Sequence, residues 1–372
     1  MTTRKRPRNS GAAFLPFVAR TVSIVTCLCC TSATPALAQL TISAGQDVNI
    51  KLGVLGQVQA DTIDEPITDS QTNNLFMRRL RFVIGGEVAP RVTFFIETDA
   101  PNLGRRLPTG KNITPSVIVQ DALGTFKVND AFMVDAGLMF VPFSRNSVQS
   151  AASLLPIDYG AFTFSQSAPT ESSTGRDTGF QARGYLLKKH LEYRAGVFQG
   201  VRDTVSSNAF RYAGRVQYNV FDIEEGYLYT GTYLGKKRVL AIGGGFDTQK
   251  DYHAWDADVF VDQPAGPAGA VTAQFDYNRF DGETFLTTVP KQDDVMLEVG
   301  YLVRAAKVTP FVQFANHDVV DTATGDDKRV SVGLAYWWAG HNANIKGAYT
   351  RLDTNGLPNR NEWTVQLQFF YF

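Results

Sequence analysis

The sequence contains few cysteines, few histidines and no long apolar run. Its three cysteines, Cys27, Cys29 and Cys30, all lie before residue 39 of the 372-residue chain. Residues 39–372 therefore cannot form disulfide bonds or cysteine metal sites. They also lack an apolar stretch of the ~20 residues that a membrane-spanning helix needs. Their stability therefore does not depend on disulfide bonds.

The first 38 residues have the pattern of a secretory signal peptide. Four basic side chains lie within residues 4–8, a short apolar centre follows, and residues 36–38 read Ala-Leu-Ala. The alternative is a membrane anchor, but Arg20 interrupts the apolar run. We predict cleavage before Gln39. No acidic residue leaves with this segment, so the exported chain is acidic and nucleic acid is not an expected partner.

Metal-binding and catalytic motifs are also scarce. The glycines at 243–245 are not followed by the Lys-Ser/Thr of a phosphate loop. The acidic stretch 321–328 lacks the ligand spacing and the terminal Glu of a helix-loop-helix calcium site. The four histidines lie on separate predicted elements without metal-ligand spacing: His190, His253, His317 and His341. The sequence therefore predicts no cofactor and no metal.

Apolar side chains recur with a period of two along most of the chain. In residues 295–303, for example, Val, Leu, Val, Tyr and Val alternate with Met, Glu, Gly and Leu. This period indicates β-strands with two different faces. Alternation alone also fits a soluble β-sandwich that has one wet face.

Connection lengths separate the two folds. Sixteen strands are predicted, near residues 47–60, 76–89, 91–99, 117–128, 131–141, 177–188, 190–199, 210–221, 238–248, 252–262, 269–279, 293–304, 307–317, 328–339, 341–353 and 361–372. Odd-numbered connections are mostly long and polar, as at 61–75, and even-numbered ones are mostly short. The connections at 222–237 and 249–251 are exceptions. The pattern predicts an all-β fold, a transmembrane antiparallel β-barrel of about 16 strands in the outer membrane.

The chain ends on the aromatic sequence WTVQLQFFYF. The last strand of a closed barrel must pair with the first, because an open edge in lipid leaves backbone groups unsatisfied. Phe370 and Phe372 match the terminal aromatic pattern of outer-membrane proteins, and we expect the barrel assembly machinery to read it. These rings are out of phase with Phe369 and the apolar residues before it. We therefore expect a β-bulge near Phe369, or a departure of the last residues from the ladder.

Aromatic residues near predicted strand ends indicate girdles at the two membrane–water interfaces. The residues assigned to these girdles are Tyr336, Trp337, Trp338, Tyr349, Trp363 and Tyr371.

If the apolar faces point to lipid, many charged side chains point into the lumen. The predicted pore-lining basic residues are Arg79, Arg81, Arg183, Arg194, Arg211 and Arg215. The predicted pore-lining acidic residues are Glu97, Asp121, Asp135, Asp256, Asp258, Asp276 and Glu298. Guanidinium groups in a row suit anions, and opposed basic and acidic walls would create a transverse field. Alternatively, neighbouring charges pair and leave transport unaffected.

Residues 142–176 form the longest predicted connection. Its stretch AASLLPIDYGAF needs a dry contact, which the inner barrel wall offers. We predict a constriction loop folded into the lumen, with charges Arg145, Asp158, Glu171 and Arg176.

Several stretches resemble the phosphate-selective porin O/P family of trimeric sixteen-stranded porins. They are MRRLRFVIGGEV with FFIETD (77–99), AGLMFVPFSR (136–145), GRDTGFQARGYL with LEYRAGVFQG (175–200), AGRVQYNVFD (213–222), GTYLGKKRVLAIGGGFDTQKDYHAWDADVFVD (231–262) and YWWAGHNANIKGAYTRL (336–352). The resemblance covers most of residues 39–372. It implies a homotrimer through which small solutes, often anions, diffuse passively.

One departure limits what this resemblance implies. Phosphate-selective members carry a lysine cluster at the constriction, whereas 142–176 has no lysine. We therefore expect a general porin for small polar or anionic solutes, at most weakly anion-preferring. Its expected surroundings are outer-membrane lipid and lipopolysaccharide.

Two other functions remain open at this point. A barrel enzyme of the lipase or protease type would need a Ser-His pair with an orienting group. His317 beside Asp318 and His253 beside Asp251 are the nearest candidates, without an evident serine. A secreted soluble sandwich would leave the terminal phenylalanine and the sorted connections unexplained.

Overall fold

The computed structural model describes residues 40–44, 48–107, 110–114, 116–202, 208–320 and 325–372. The predicted signal peptide and its cleavage site lie outside these residues. Within the described ranges, no helix is long and apolar enough to cross a membrane.

Strands dominate the described chain. The strands are β1 Leu40–Ala44, β2 Val48–Glu65, β3 Ser70–Ala89, β4 Val92–Asp99, β5 Arg106–Leu107, β6 Gly110–Lys111, β7 Ile118–Asn129, β8 Phe132–Phe140, β9 Arg176–Leu186, β10 Leu191–Phe198, β11 Arg211–Asn219, β12 Val239–Gln249, β13 Tyr252–Ala265, β14 Gly269–Asp281, β15 Gln292–Val303, β16 Val308–Val319, β17 Asp327–Tyr336, β18 Ala343–Thr354 and β19 Arg360–Tyr371. One short helix, α1, spans Arg145–Val148.

Sixteen of these strands close an antiparallel barrel. Each strand from β2 onward pairs with the next barrel strand, and β19 returns to β2 over Glu362↔Ile63 to Tyr371↔Val54. β1 extends the sheet by pairing with the start of β2, while β5 and β6 form a separate small hairpin. Closure leaves no open edge among the barrel strands, which is what lipid requires. The predicted fold is confirmed.

The two faces of the barrel differ as the period of two predicts. In β15, Asp294 and Glu298 on the inner face are buried, whereas Leu297 and Val299 on the outer face are exposed. Apolar residues facing outward form the lipid-facing band of a membrane barrel.

The predicted long connection at 61–75 is wrong. β2 and β3 continue to the pair Glu65↔Ser70 and are joined by the turn 66–69. Polar cross-strand bonds support this extension: Thr62 Oγ1 donates to Asn73 Oδ1 over 2.7 Å, and Asn74 Nδ2 donates to Asp61 Oδ1 over 2.7 Å. Apart from Ile63, the paired residues 61–65 and 70–74 are all polar, so this hairpin end carries no hydrophobic alternation.

The end of the chain stays in the ladder without a bulge. Phe369, Phe370 and Tyr371 pair in continuous register with Gly56, Leu55 and Val54. Both expected explanations for the phase change are therefore wrong.

Phe370 and Phe372 instead occupy the inner face. Phe370 packs against the buried cluster of Leu55, Ala151 and Ala152, and the Phe372 ring lies 6.0 Å from that of Phe95. Gly53 makes room for it, since a Cβ there would lie 2.7 Å from Phe372 Cδ2. Recognition of these rings during assembly stays a prediction.

The aromatic girdle prediction is wrong for Trp337. Its side chain is buried on the inner face, and its Nε1 donates to Thr309 Oγ1 over 2.9 Å. Tyr336, Trp338 and Trp363 are exposed, in agreement with a girdle.

Candidate constriction of the lumen

The connection between β8 and β9, residues 141–175, folds inward as predicted. α1 lies near its start and all four helix residues are buried. Ser144 caps the helix: its Oγ accepts from Ser147 N over 3.0 Å, and Ser147 Oγ accepts from Ser144 N over 3.1 Å. Gly245 in β12 lets the loop start approach the wall, because a Cβ there would lie 2.3 Å from Phe143 O.

Side chains of the opposite wall hold the loop by its carbonyl groups. Lys346 Nζ in β18 donates to Leu154 O and Pro156 O over 2.6 and 2.8 Å. Gln368 Nε2 in β19 donates to Ala152 O over 2.8 Å, and Gln57 Nε2 in β2 donates to Ala151 O over 3.2 Å. The loop therefore crosses the lumen.

The apolar part of the loop finds the dry contact that its sequence requires. Leu155 and Ile157 belong to one buried cluster with Phe311 of β16 and Trp337 at the end of β17. Each fully buried apolar side chain of this size contributes about 1.5–3 kcal/mol relative to exposure.

A second segment, residues 220–238 between β11 and β12, meets the loop inside the barrel. Ser150 N donates to Tyr229 O over 2.9 Å, and Tyr229 N donates to Val148 O over 3.1 Å. Arg145 Nη1 and Nη2 each donate to Glu224 over 2.8 Å. This packing explains why the connection at 222–237 is long, although even-numbered connections are mostly short: it fills part of the lumen.

The predicted lumen arginines all point inward, but each is paired with a carboxylate. The ion pairs are Arg79–Asp158 (2.5 Å), Arg81–Glu97 (2.7 Å), Arg81–Asp99 (2.9 Å), Arg183–Asp135 (2.6 Å), Arg194–Glu192 (2.8 Å), Arg211–Asp247 (2.5 Å), Arg215–Asp256 (3.0 Å) and Arg215–Asp258. Five of these eight pairs join residues of the same or an adjacent strand, whereas Arg215 reaches past β12 to β13 and Arg79 binds the loop. Acidic and basic groups therefore alternate around the lumen, and the predicted separate basic and acidic walls are wrong. The paired alternative describes the structure.

The other acidic residues predicted to line the pore have different partners. Asp121 binds Arg176 Nη2 at 3.0 Å. Asp276 accepts from Gln274 Nε2 over 2.7 Å, and Glu298 accepts from Gln313 Nε2 over 3.1 Å.

Two residues assigned to the constriction loop differ from the prediction: Arg176 lies outside the loop, and Glu171 lies in the loop but is exposed. Arg176 is the first residue of β9, and its charge is bound to the wall residue Asp121. Glu171 is exposed in a turn, with a φ of 50°. Arg145 and Asp158 do lie where the loop meets its partners.

An opening of about 280 Å³, called here the tip cavity, separates the loop tip from the wall. It is lined by residues of the loop tip, of the connection after β4, and of β2, β3 and β16–β19. The charged lining residues are Asp61, Arg78, Arg105, Asp158, Arg329 and Glu362. Only Asp158 of these was a predicted site residue.

A β-bulge explains why Arg78 was missed. The register between β2 and β3 shifts between Gln57 and Val58, so Gln57 pairs with Arg79 and Val58 with Met77. A bulge of this kind places two successive side chains on one face. Strict alternation sends only one of two adjacent arginines inward, and no residue pattern in RRLR marks the bulge.

Asp158 holds both arginines at the loop tip. Arg78 Nη2 donates to its Oδ2 over 2.7 Å, and Arg79 Nη2 donates to its Oδ1 over 2.5 Å. Burial raises the pKa of Asp158, but the two guanidinium groups lower it by more, to well below its usual range. Asp158 is therefore ionised at neutral pH and fixes the loop tip to β3.

Comparison with known proteins agrees with this geometry. The family model described as phosphate-selective porin O and P matches residues 52–238. No curated protein matches the chain.

Solved porins share the fold at low identity. OmpF from Salmonella typhi in complex with daunomycin has a TM-score of 0.57 and 14% identity, covering 89% of this chain and 100% of that one. The anion-selective porin from Comamonas acidovorans has a TM-score of 0.57 and 11% identity, covering 87% and 100%. The outer-membrane channel DcaP of Acinetobacter baumannii has a TM-score of 0.55 and 12% identity, covering 89% and 99%.

The family match spans half of the chain, and the barrel has the architecture of the solved porins. Both findings favour a channel over the enzyme alternative. The chain belongs to the phosphate-selective porin O and P family and is a porin of the outer membrane.

Proposed function

We propose that small hydrophilic solutes and ions diffuse passively through the tip cavity, with a weak preference for anions. The charge of its lining carries this proposal. The cavity is lined by the guanidinium groups of Arg78, Arg105 and Arg329 and by the carboxylates of Asp61, Asp158 and Glu362. Arg79, which shares Asp158 with Arg78, adds one further positive charge. The balance is slightly positive.

Arg105 and Arg329 are the groups most available to a passing anion. Among the described residues, neither forms an ion pair with a carboxylate. Each guanidinium lies over an aromatic ring, Arg105 at 5.2 Å from the Phe76 centroid and Arg329 at 5.3 Å from that of Phe162. A guanidinium held in this way keeps its forked donors free for carboxylate or phosphate groups. Specificity for phosphate is not proposed, since residues 142–176 contain no lysine.

The reversal potential across a potassium chloride gradient tests this proposal. We expect wild-type channels to prefer chloride weakly, and the double variant Arg105→Gln/Arg329→Gln to become unselective or cation-preferring. Lys189→Gln is the matched control, because it removes a positive charge in the turn between β9 and β10, where Lys189 pairs with Asp130 and Glu225. An unchanged reversal potential in the double variant would remove these two residues from the ion pathway.

We also propose a homotrimer embedded in outer-membrane lipid and lipopolysaccharide. A solved neighbour, in-vitro folded OmpT of Vibrio cholerae, is described in a trimer form; it has a TM-score of 0.52 and 11% identity. The exposed apolar outer faces of the strands offer the surface for lipid and for neighbouring copies. Chemical cross-linking in native membranes tests the trimer, and products that stop at the monomer contradict it.

A further inference from the structure

Three carboxylates cluster on the inner faces of β13 and β14. They belong to Asp256, Asp258 and Asp276, and one oxygen of each lies within 4.8 Å of the others. All three residues are almost inaccessible, with exposed fractions of 5%, 2% and 0%. Asp258 and Asp276 are direct partners in the ladder.

The positive charge in contact with this cluster is too small to balance it. Arg215 Nη1 donates to Asp256 Oδ2 over 3.0 Å and also to Asp258 Oδ2. Asp276 has neutral donors instead, the backbone N of Asn146 at 3.1 Å and Gln274 Nε2 at 2.7 Å. Three carboxylates against one guanidinium leave two uncompensated negative charges, and such burial is costly unless a cation or protons compensate it.

A neutral neighbour gives an independent indication of a ligand. Asn278 is the direct ladder partner of Asp256, and its side chain is fully buried. Its Nδ2 donates to Thr163 O over 2.9 Å, which fixes the orientation of the amide. In the described part of the chain, neither Asn278 Oδ1 nor Asp256 Oδ1 has a hydrogen-bond donor. Two buried acceptor oxygens on facing residues therefore have no hydrogen-bond partner among the described residues.

We propose that these four residues bind one calcium ion. Carboxylate and amide oxygens are the ligands that hard divalent cations prefer, and Ca²⁺ tolerates irregular geometry better than Mg²⁺. A charge of +2 also balances the cluster with Arg215. The four ligand residues are Asp256, Asp258, Asp276 and Asn278.

The calcium ion would join the wall to the constriction loop. Asp276 already accepts from Asn146 N in α1, and Asn278 donates to Thr163 O near the return of the loop. Arg215 Nη1 donates to Phe143 O at the loop start over 3.2 Å. Binding of the ion therefore stabilises the start of the loop and the segment around Thr163 against β13 and β14.

Equilibrium dialysis with radioactive Ca²⁺ tests the site. The refolded barrel in detergent is first stripped with a chelator. We expect one buried Ca²⁺ per chain in the wild type, and at least a tenfold weaker binding in Asp276→Asn. Asn278→Leu provides a second variant, because it removes one ligand oxygen while every charge stays in place. Asp353→Asn, in an acidic cavity near the 320–326 connection, is the control and should bind like the wild type.

The midpoint of thermal unfolding tests the same site through the stability of the folded barrel. A ligand that binds only the folded barrel raises its midpoint by mass action. We expect Ca²⁺ to raise the wild-type midpoint and to leave that of Asn278→Leu unchanged. Equal Ca²⁺ binding in the wild type and in correctly folded Asn278→Leu would overturn the proposal. The absence of Ca²⁺ binding in the wild type would also overturn the proposal. Protons on the buried carboxylates would then compensate the excess negative charge.

Discussion

Truncation of the constriction loop is expected to raise the single-channel conductance several-fold. Asn146 Nδ2 donates to Thr163 Oγ1 over 3.0 Å, so the two arms of the loop lie close together there and two glycines can replace residues 148–161. The deletion removes the part of the loop that crosses the lumen to β2, β18 and β19. It also removes Asp158, which frees Arg78 and Arg79. Chloride preference should therefore increase together with conductance, and planar-bilayer recording measures both.

A shortened external connection is the matched control for this deletion. Replacement of residues 355–359, between β18 and β19, by a two-residue turn should leave conductance close to that of the wild type. Both variants must first show the heat-modifiable migration of a folded barrel. Wild-type conductance in a folded loop deletion would mean that residues 148–161 do not restrict the pore.

Arg145→Met is expected to destabilise the barrel by about 3–5 kcal/mol, the usual cost of leaving one partner of a buried ion pair without the other. Arg145 is fully buried and binds both carboxylate oxygens of Glu224. Its guanidinium also lies 3.7 Å from the centroid of Phe260. Without this guanidinium, the negative charge of Glu224 in segment 220–238 stays buried against the loop and loses its ion-pair partner. Urea unfolding of the barrel in lipid vesicles measures the change in free energy.

The double variant separates the unpaired charge from lost packing. If the charge is the cause, Arg145→Met/Glu224→Met should recover most of the lost stability, because no charge then remains buried. Arg183→Met/Asp135→Leu on β8 and β9 is a comparable buried pair that does not touch the loop. Additive losses in the Arg145/Glu224 cycle would show that the two residues are not coupled.

The barrel itself could be predicted from the sequence because lipid imposes a simple rule. Outer faces must be apolar and inner faces can be polar, so strands such as β15 show their alternation directly. The rule gives no signal at the tip of the β2–β3 hairpin, where all the paired residues except Ile63 are polar. The alternation also shows which face of the barrel a side chain lies on, but it does not show which residue that side chain pairs with. Arg215 could be placed in the lumen, but its pairing with Asp256 and Asp258 depends on ladder register.

The constriction was harder to predict because it depends on contacts between distant segments. The inward packing of segment 220–238 gives no local signal beyond an unexpected length. The inner position of Phe370 depends on Ala151 and Ala152, more than 200 residues away in the chain. The tip cavity depends on the bulge at Gln57 and on side chains from eight separate parts of the chain. The arginines that line the tip cavity are Arg78, Arg105 and Arg329, and the sequence singled out none of them.

Cysteine labelling inside the tip cavity tests the proposed pathway most directly. A chain that begins at Gln39 has no cysteine, so Ser331→Cys introduces a single reactive thiol on the inner face of β17. Leu334→Cys on the exposed outer face of the same strand is the control. We predict that a charged methanethiosulfonate reagent lowers the conductance of Ser331→Cys channels and leaves Leu334→Cys channels unchanged. Complete labelling of Ser331→Cys without a change in conductance would contradict the account.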